Sequence, residues 1–531
     1  MKHFRKLKIL LSLFVLTVHA DLPCAPRQYE ESVVCVCNTT YCDTVTREVP
    51  DGGNYIMYTS SKSGKRFSKS YGSTQAQSYI NDNEHFDMVL DIQPETMYQT
   101  IEGFGGAVTD SAGFNWKSLP PAVQQHLINS YCSEDGLEYS MIRVPNGSTD
   151  FSTRPYAYNE YPVNDTKLTN FTLAPEDILY KVPMIQACMK VAKLDVEVVT
   201  ATWAPPRWMS IKEESSGFKY LNEDYYQAYA DYQCKFAELY NEQGIRVWGL
   251  SAANEPLLPF LYDVKEETQL WSTKKMSKFL KNNLGPTIRN CSVRDIRILA
   301  VDDQRFALPP LFESIAEDEE VLKYIDGIAV HYYFDERTPP AILARISKKY
   351  PDRFILSTEA CAGFKPTDIP KVDLGSWERA KIYIKDILEN LNYNLVAWID
   401  WNMCLNKEGG PTWVKNFVDS PVIVDAPNEE FLKQPTFYAM GHFSKFIPRF
   451  SRRVRVSKVF PTEDLDVQDI QALEQSHYDT VAFLTPNDSI VVVIHNEAKE
   501  TKSAKIRVGQ QELFVKLDAE SISTIEVAYL D

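Results

Sequence analysis

The chain has 531 residues, 44% of them hydrophobic, with 56 Lys and Arg against 72 Asp and Glu and a formal charge of −16. The acidic excess argues against nucleic acid as a partner and against unaided adhesion to an anionic membrane. It suits an acidic compartment, where partial protonation of carboxylates relieves their mutual repulsion.

Residues 1–20, MKHFRKLKILLSLFVLTVHA, join a basic start to an apolar middle and end on small Ala20. This is the pattern of a secretory signal peptide. A membrane span needs roughly twenty apolar residues, and no later stretch supplies them, so the mature chain is expected to be soluble. Cleavage after Ala20 removes four of the 56 basic residues and no acid, and the balance of 52 against 72 leaves a formal charge of −20.

Four cysteines follow closely, Cys24, Cys35, Cys37 and Cys42. In a secreted chain they read as two local disulfides with three possible connectivities. Zinc is the alternative, although no His lies within the cluster. The other six, Cys132, Cys188, Cys234, Cys291, Cys361 and Cys404, are scattered and are expected to be small buried hydrophobes. Asn-x-Ser/Thr sequons at Asn38, Asn146, Asn164, Asn170, Asn290 and Asn487 agree with passage through the secretory route. Asn146 stands close to a prospective functional loop.

Apolar or β-branched runs then recur at 100–110, 139–145, 196–203, 245–255, 296–303, 325–333, 354–360 and 395–402. Segments of helical period separate them, such as EDYYQAYADYQCKFAELYNEQG ending at Gly244 and SWERAKIYIKDILENLNY. Near-continuous apolar strands alternating with helices predict a parallel sheet buried on both faces, and eight such units predict a closed (β/α)8 barrel. Arg143, Trp203, Asn254, Glu255, Asp302, Asp303, His331, Tyr333, Glu359, Trp401 and Asn402 fall at or just after the C-terminal ends of these runs. In a barrel those ends converge on one mouth, where active sites sit.

Glu255 closes the fourth run and Glu359 the seventh. Two carboxylates flanking a glycosidic bond are what glycoside hydrolysis requires: one protonates the leaving oxygen, the other attacks the anomeric carbon or activates water. Ion pairing to Arg143 is the structural alternative for one of them.

The runs SAANEP and STEAC, together with GFGGAVTDSA, VDDQR, GIAVHYY, WIDWN, NKEGGPTWVKNFVDSPVIVD and GHFSKFIPR, resemble the lysosomal glucosylceramidases, the acid β-glucosidases. The resemblance runs from the N-terminal cysteines almost to the C-terminus. It implies that Glu255 is the acid/base and Glu359 the nucleophile of a retaining enzyme. It further implies that Asn254 holds the sugar 2-hydroxyl, that Asp150, Trp203 and Trp401 cradle glucose with Asn416 as a further contact, and that Arg143, His331 and Tyr333 surround the nucleophile. The chain departs from the family's pattern at Thr149, at Tyr332 and through the loop after Glu255, which borders the aglycone.

The flanks, 51–98 and 451–531, contain short alternating strands that predict a β-sandwich assembled from both chain ends. The resemblance implies a small disulfide-stapled sheet from 21–50 and 403–434, leaving 99–402 and 435–450 to the barrel. The function so implied is hydrolysis of glucosylceramide to glucose and ceramide in the lysosome, without metal or organic cofactor. The implied partners are a glycosphingolipid at a membrane surface and a saposin-type activator or anionic lipid. The alternatives are a related β-glycosidase acting on xylosides or soluble β-glucans, a carbohydrate-binding protein without catalysis, and, for location, secretion.

Overall fold

A computed structural model describes residues 21–76, 86–214, 218–261, 268–459 and 479–529. The expected signal peptide at 1–20 lies outside the described residues. No helix among the described residues is long and apolar enough to cross a membrane.

Eight parallel strands close a barrel: β1 Gly103–Ala107, β2 Met141–Pro145, β3 Glu197–Ala201, β4 Val247–Ser251, β5 Arg297–Gln304, β6 Gly327–His331, β7 Phe354–Glu359 and β8 Leu395–Asn402. Each pairs with its neighbour in sequence, and β8 returns to β1 through the pair Ala397↔Gly103. The strands are apolar throughout because helices cover one face and side chains fill the other. Met141, Val199, Trp248, Leu299, Ala329 and Leu356 pack together in one cluster with Ala397. β1 and β2 approach so closely that a Cβ on Gly105 would fall 1.8 Å from the Met141 carbonyl oxygen, which accounts for that glycine in GFGGA.

The helix Tyr226–Glu242 illustrates the outer layer. Its buried residues Tyr229, Tyr232, Gln233, Phe236, Ala237 and Tyr240 recur at spacings of three and four, the signature of one packed face. Gly244 follows it in the left-handed region at φ 76°, where a side chain is disfavoured and a helix readily stops. The second helical segment spans Trp377–Asn392.

The β-sandwich is one ten-stranded sheet folded over its own core. Asn54–Ser61, Ser68–Ser73, Gln75–Ala76 and Met88–Thr100 come from the N-terminal side, and six strands between Arg452 and Ala528 from the other. Strand Ser489–Asn496 is buried on both faces. Ile490, Val492 and Ile494 point into the sandwich core, whereas Val491 and Val493 join the main core with the barrel, as the period of two demands. His442, buried in a helix after β8, meets Thr524 at 2.8 Å through Nδ1 and Ser60 at 2.9 Å through Nε2, tying barrel to sandwich. A five-stranded sheet combines Pro26–Gln28 and Val33–Cys37 with Leu405–Asn406, Val422–Asp425 and Glu430–Lys433.

Two local disulfides, Cys24–Cys35 and Cys37–Cys42, staple that small sheet. The scattered cysteines correct the expectation made for them. Cys132 pairs with Cys188 and Cys234 with Cys291, each pair joining neighbouring helical segments across 56 and 57 residues of chain; only Cys361 and Cys404 are buried free thiols. Sequence distance hid both links, since helix packing alone brings them together. Asn146 is likewise corrected as a glycosylation site, because it is 1% exposed and offers an oligosaccharide no access.

Closing a loop of that length restricts the unfolded chain by about 4 kcal/mol in the entropic account. Replacing Cys234 and Cys291 together by Ala is expected to lower the thermal transition by several degrees. Peptide mapping of the parent protein without reductant should recover both long-range crosslinks.

Candidate active site

The mouth is organised by a fully buried cation. Arg143, on β2, donates through Nη2 to Asn254 Oδ1 at 2.7 Å and to Asp302 Oδ2 at 3.0 Å, and through Nη1 to Glu359 Oε2. Its guanidinium carbon lies 5.1 Å from the Trp203 ring centroid and 5.3 Å from that of Trp401, within cation–π range. The two indoles stack at 5.3 Å and 22°.

A bulge in β5 sets the next layer. The register with β6 shifts between Val301 and Asp303, and Val301 and Asp302 take φ of 76° and 50°. Left-handed backbone at a β-branched residue is strained and persists only where its surroundings fix it. The kink turns Asp302 to Arg143 and His331, while Asp303 accepts the backbone N–H groups of Leu257 at 2.8 Å and Gln304 at 2.7 Å. Glu255, also left-handed at φ 41°, gives its own N–H to the Asp302 carbonyl at 2.8 Å.

Glu359 ends β7 and accepts from Tyr333 at 2.6 Å on Oε1. His331 presents Nδ1 to Glu255 Oε1 at 2.9 Å and Nε2 to Asp302 Oδ1 at 3.1 Å, while its Nδ1 lies 3.9 Å from Glu359. The ring therefore serves Glu255 first and Glu359 second, where the resemblance implied a place around the nucleophile. Gln304 donates Nε2 to the same Glu255 oxygen at 2.7 Å. One oxygen of Glu255 and one of Glu359 stand within 4.8 Å of each other.

These groups face a cavity of about 740 Å³, lined by Asp150, Trp203, Asn254, Glu255, Glu359, Trp401 and Asn416, with Phe151, Leu258, Gln304, Tyr333 and Phe364 among its other walls. Asn416 donates to Asp150 at 2.9 Å. The loop carrying Asn416 is pinned to the loop carrying Asp150 by Trp413, whose indole N–H reaches the Thr149 carbonyl at 2.8 Å.

Electrostatics divide the carboxyls. Burial pushes Glu255 up, and the nearby Glu359 charge adds to the effect, against the hydrogen bond and charge of His331. Burial acts upward on Asp302 too, but Arg143, His331 and Thr358 hold its carboxyl well below the usual range. His331 is desolvated, which disfavours the imidazolium, yet Glu359, Asp302 and Glu255 raise it to about 10. Glu255, His331 and Glu359 each bring one potential metal-ligand atom within 4.8 Å. The protonated ring, with both N–H groups committed to carboxylates, offers a cation no lone pair.

Sequence reasoning singled out most of this constellation but missed Gln304, Thr358 and Phe151. Gln304 stands two residues beyond Asp302, the spacing for the same strand face, but the bulge that aims both side chains leaves no pattern in the sequence.

Strand order, barrel closure and paired carboxylates at strands four and seven define a glycoside hydrolase. The chain belongs to glycosyl hydrolase family 30: residues 101–447 match its TIM-barrel domain and residues 466–525 its β-sandwich domain. It is 38% identical over 485 residues to the mouse lysosomal acid glucosylceramidase, covering 90% of each chain. An endo-1,6-β-D-glucanase of Neurospora crassa is 26% identical over 410 residues, with 74% of this chain and 80% of that one covered. In fold the chain is similar to SrfJ from Salmonella typhimurium, with a TM-score of 0.77 at 22% identity, covering 90% of this chain and all of that one.

Burial with the neighbouring Glu255 charge holds Asp303 protonated up to about 7, and burial does so for Asp400 up to about 8. A carboxyl whose proton is bound more tightly in the folded state stabilises fully below its ordinary range, and that contribution is lost as pH rises through the folded value. The thermal transition is expected to fall between pH 5 and 8, and Asp400→Asn, which mimics the neutral carboxyl, should flatten the decline when transitions are followed across buffers of constant ionic strength.

Proposed function

We propose that this protein is a retaining β-glucosidase that hydrolyses glucosylceramide to glucose and ceramide in an acidic compartment. The observation that carries the retaining mechanism is the carboxylate pair. Oxygens of Glu255 and Glu359 within 4.8 Å suit the roughly 5 to 5.5 Å separation of retaining enzymes and leave no room for the water that inversion places across about 6.5 to 9.5 Å.

In this reading Glu359, held by Arg143 and Tyr333, attacks the anomeric carbon while Glu255 passes its proton to the glycosidic oxygen. The C–O bond to the aglycone breaks and a glycosyl ester forms on Glu359. Water then enters, Glu255 takes its proton, and the water oxygen bonds to the anomeric carbon as the bond from that carbon to Glu359 breaks, which frees the Glu359 carboxylate and glucose of retained configuration. The raised proton affinity of Glu255 equips it as the acid of the first step. Asn254, whose oxygen is taken by Arg143, has its NH2 to offer the 2-hydroxyl, and Trp203, Trp401, Asp150 and Asn416 are the remaining glucose contacts.

Glucosylceramide is favoured over soluble β-glucans by the 38% identity to the mouse enzyme along 90% of the chain and by exposed apolar side chains close in sequence to the cavity wall. Phe260, 71% exposed, and Ile369, 84% exposed, each stand two residues along the chain from a residue of the cavity wall, Leu258 and Thr367. Exposed apolar side chains of this kind suit an aglycone with long hydrocarbon chains at a lipid surface. The accompanying proposals are lysosomal residence and assistance by a saposin-type activator or anionic lipid.

Glu359→Gln should fold like the parent and lose about 10⁴-fold or more in kcat, measured with glucosylceramide in anionic vesicles at acidic pH. A β-glucose-configured epoxide should label Glu359 in peptide maps, and NMR of early product should show the β-anomer. Comparable activity in the variant removes Glu359 as nucleophile, and preference for a xyloside or β-1,6-glucan replaces the substrate.

A further inference from the structure

The hydrogen bonds that Glu255 accepts among the described residues fall on a single oxygen, and two different strands supply them. His331 on β6 and Gln304 at the end of β5 both reach Oε1, at 2.9 and 2.7 Å. An acid that must deliver a proton has to carry it on the other oxygen, because a carboxyl oxygen that accepts two N–H groups acts as the carbonyl. We infer that Gln304 is a positioning residue for the acid/base: together with His331 it saturates Oε1 of Glu255 and confines the transferable proton to Oε2. The inference rests on the glucosidase reading and adds a residue to it.

Three features set Gln304 apart from a core amide. It is 3% exposed yet lines the catalytic cavity. Among the described residues its Oε1 has no hydrogen-bond partner, so the bond to Glu255 is the polar contact that orients the side chain. Its backbone N–H is clamped by Asp303 Oδ1 at 2.7 Å, and Asp303 Oδ2 takes the N–H of Leu257, two residues after Glu255, at 2.8 Å. One carboxyl thus fixes the start of the Gln304 side chain and the loop that carries Glu255. Placing a proton within a fraction of an ångström of the leaving oxygen requires this kind of double anchoring, since Glu255 itself sits in a left-handed backbone that the surroundings must hold.

The charged and titratable groups around Glu255 are His331, Asp302 and Asp303, Arg143, Glu359 and Tyr333. Gln304 stands among them as a group that does not titrate. Its amide donor favours the carboxylate form, so its removal disfavours that form and shifts the loss of the proton to higher pH. A purely structural residue would lower activity across the whole profile without moving its alkaline limb.

The test uses Gln304→Ala and the volume-preserving Gln304→Met, each checked for a parent-like thermal transition. With an alkyl β-glucoside, whose departure needs an acid, kcat is expected to fall about tenfold to a hundredfold, the cost of one hydrogen bond to a charged group. KM should stay within about twofold, and the alkaline limb of kcat/KM should move to higher pH. With 2,4-dinitrophenyl β-glucoside, which leaves without protonation, the first step should be spared. Azide, which attacks the glycosyl ester without a base and displaces the Glu359 carboxylate, should then restore turnover as β-glucosyl azide. Unchanged kcat and an unmoved alkaline limb, or equal losses for both leaving groups with no azide effect, overturn the inference. So does failure of both variants to fold, which would make Gln304 a structural residue. Absence of β-glucoside hydrolysis by the parent protein overturns the glucosidase reading instead.

Discussion

The mouth of this barrel depends on one buried charge. A guanidinium out of reach of water is tolerable only when acceptors surround it, and Arg143 has acceptors from three strand ends: Asn254 after β4, Asp302 on β5 and Glu359 on β7. Trp203 and Trp401 add two indole rings within cation–π range. The same contacts that satisfy the cation therefore set the spacing of the groups around the sugar. Stability and chemistry here draw on the same set of contacts.

A second arrangement concerns protons. Asp302 is held charged by Arg143 and His331, whereas its sequence neighbour Asp303 is held protonated by burial and the Glu255 charge, which outweigh its two backbone donors and His331. Adjacent residues of identical type acquire opposite states because Asp302 meets Arg143 and the His331 ring, whereas Asp303 meets only backbone N–H groups as hydrogen-bond donors among the described residues. His331 takes the positive charge that three carboxyls create, and Glu255, on its other face, keeps a proton longer than an exposed glutamate would. Environments that drive like groups apart are how one site hosts an acid and a nucleophile at once.

The barrel was legible in the sequence because eight strands buried on both faces must all be apolar, and each run ends where polar residues reappear at the mouth. Glu255 and Glu359 stood out for the same reason. The sandwich was legible from period-two alternation, though its strand order was not. Links formed by packing at a distance left no trace: Cys132 with Cys188 and Cys234 with Cys291 look like isolated residues in the chain. The role of Gln304 also stayed hidden, because left-handed Val301 and Asp302 are a backbone decision made by tertiary contacts. Asn146 carried a sequence motif that its burial empties of meaning.

The folded-over sheet has a consequence for the order of events at the ribosome. Asn54–Ser61 lies between Ser68–Ser73 and Ser521–Ala528, and the latter strand also pairs with Ser489–Asn496. More than four hundred residues of chain, the whole barrel among them, must therefore emerge before the first long strand meets its second neighbour. Until then that strand offers one open edge, a surface prone to pairing with the wrong chain. Nascent molecules pass through a stage in which the catalytic unit can close while its companion domain is held half built, so a strand translated late acts as the latch for one translated early.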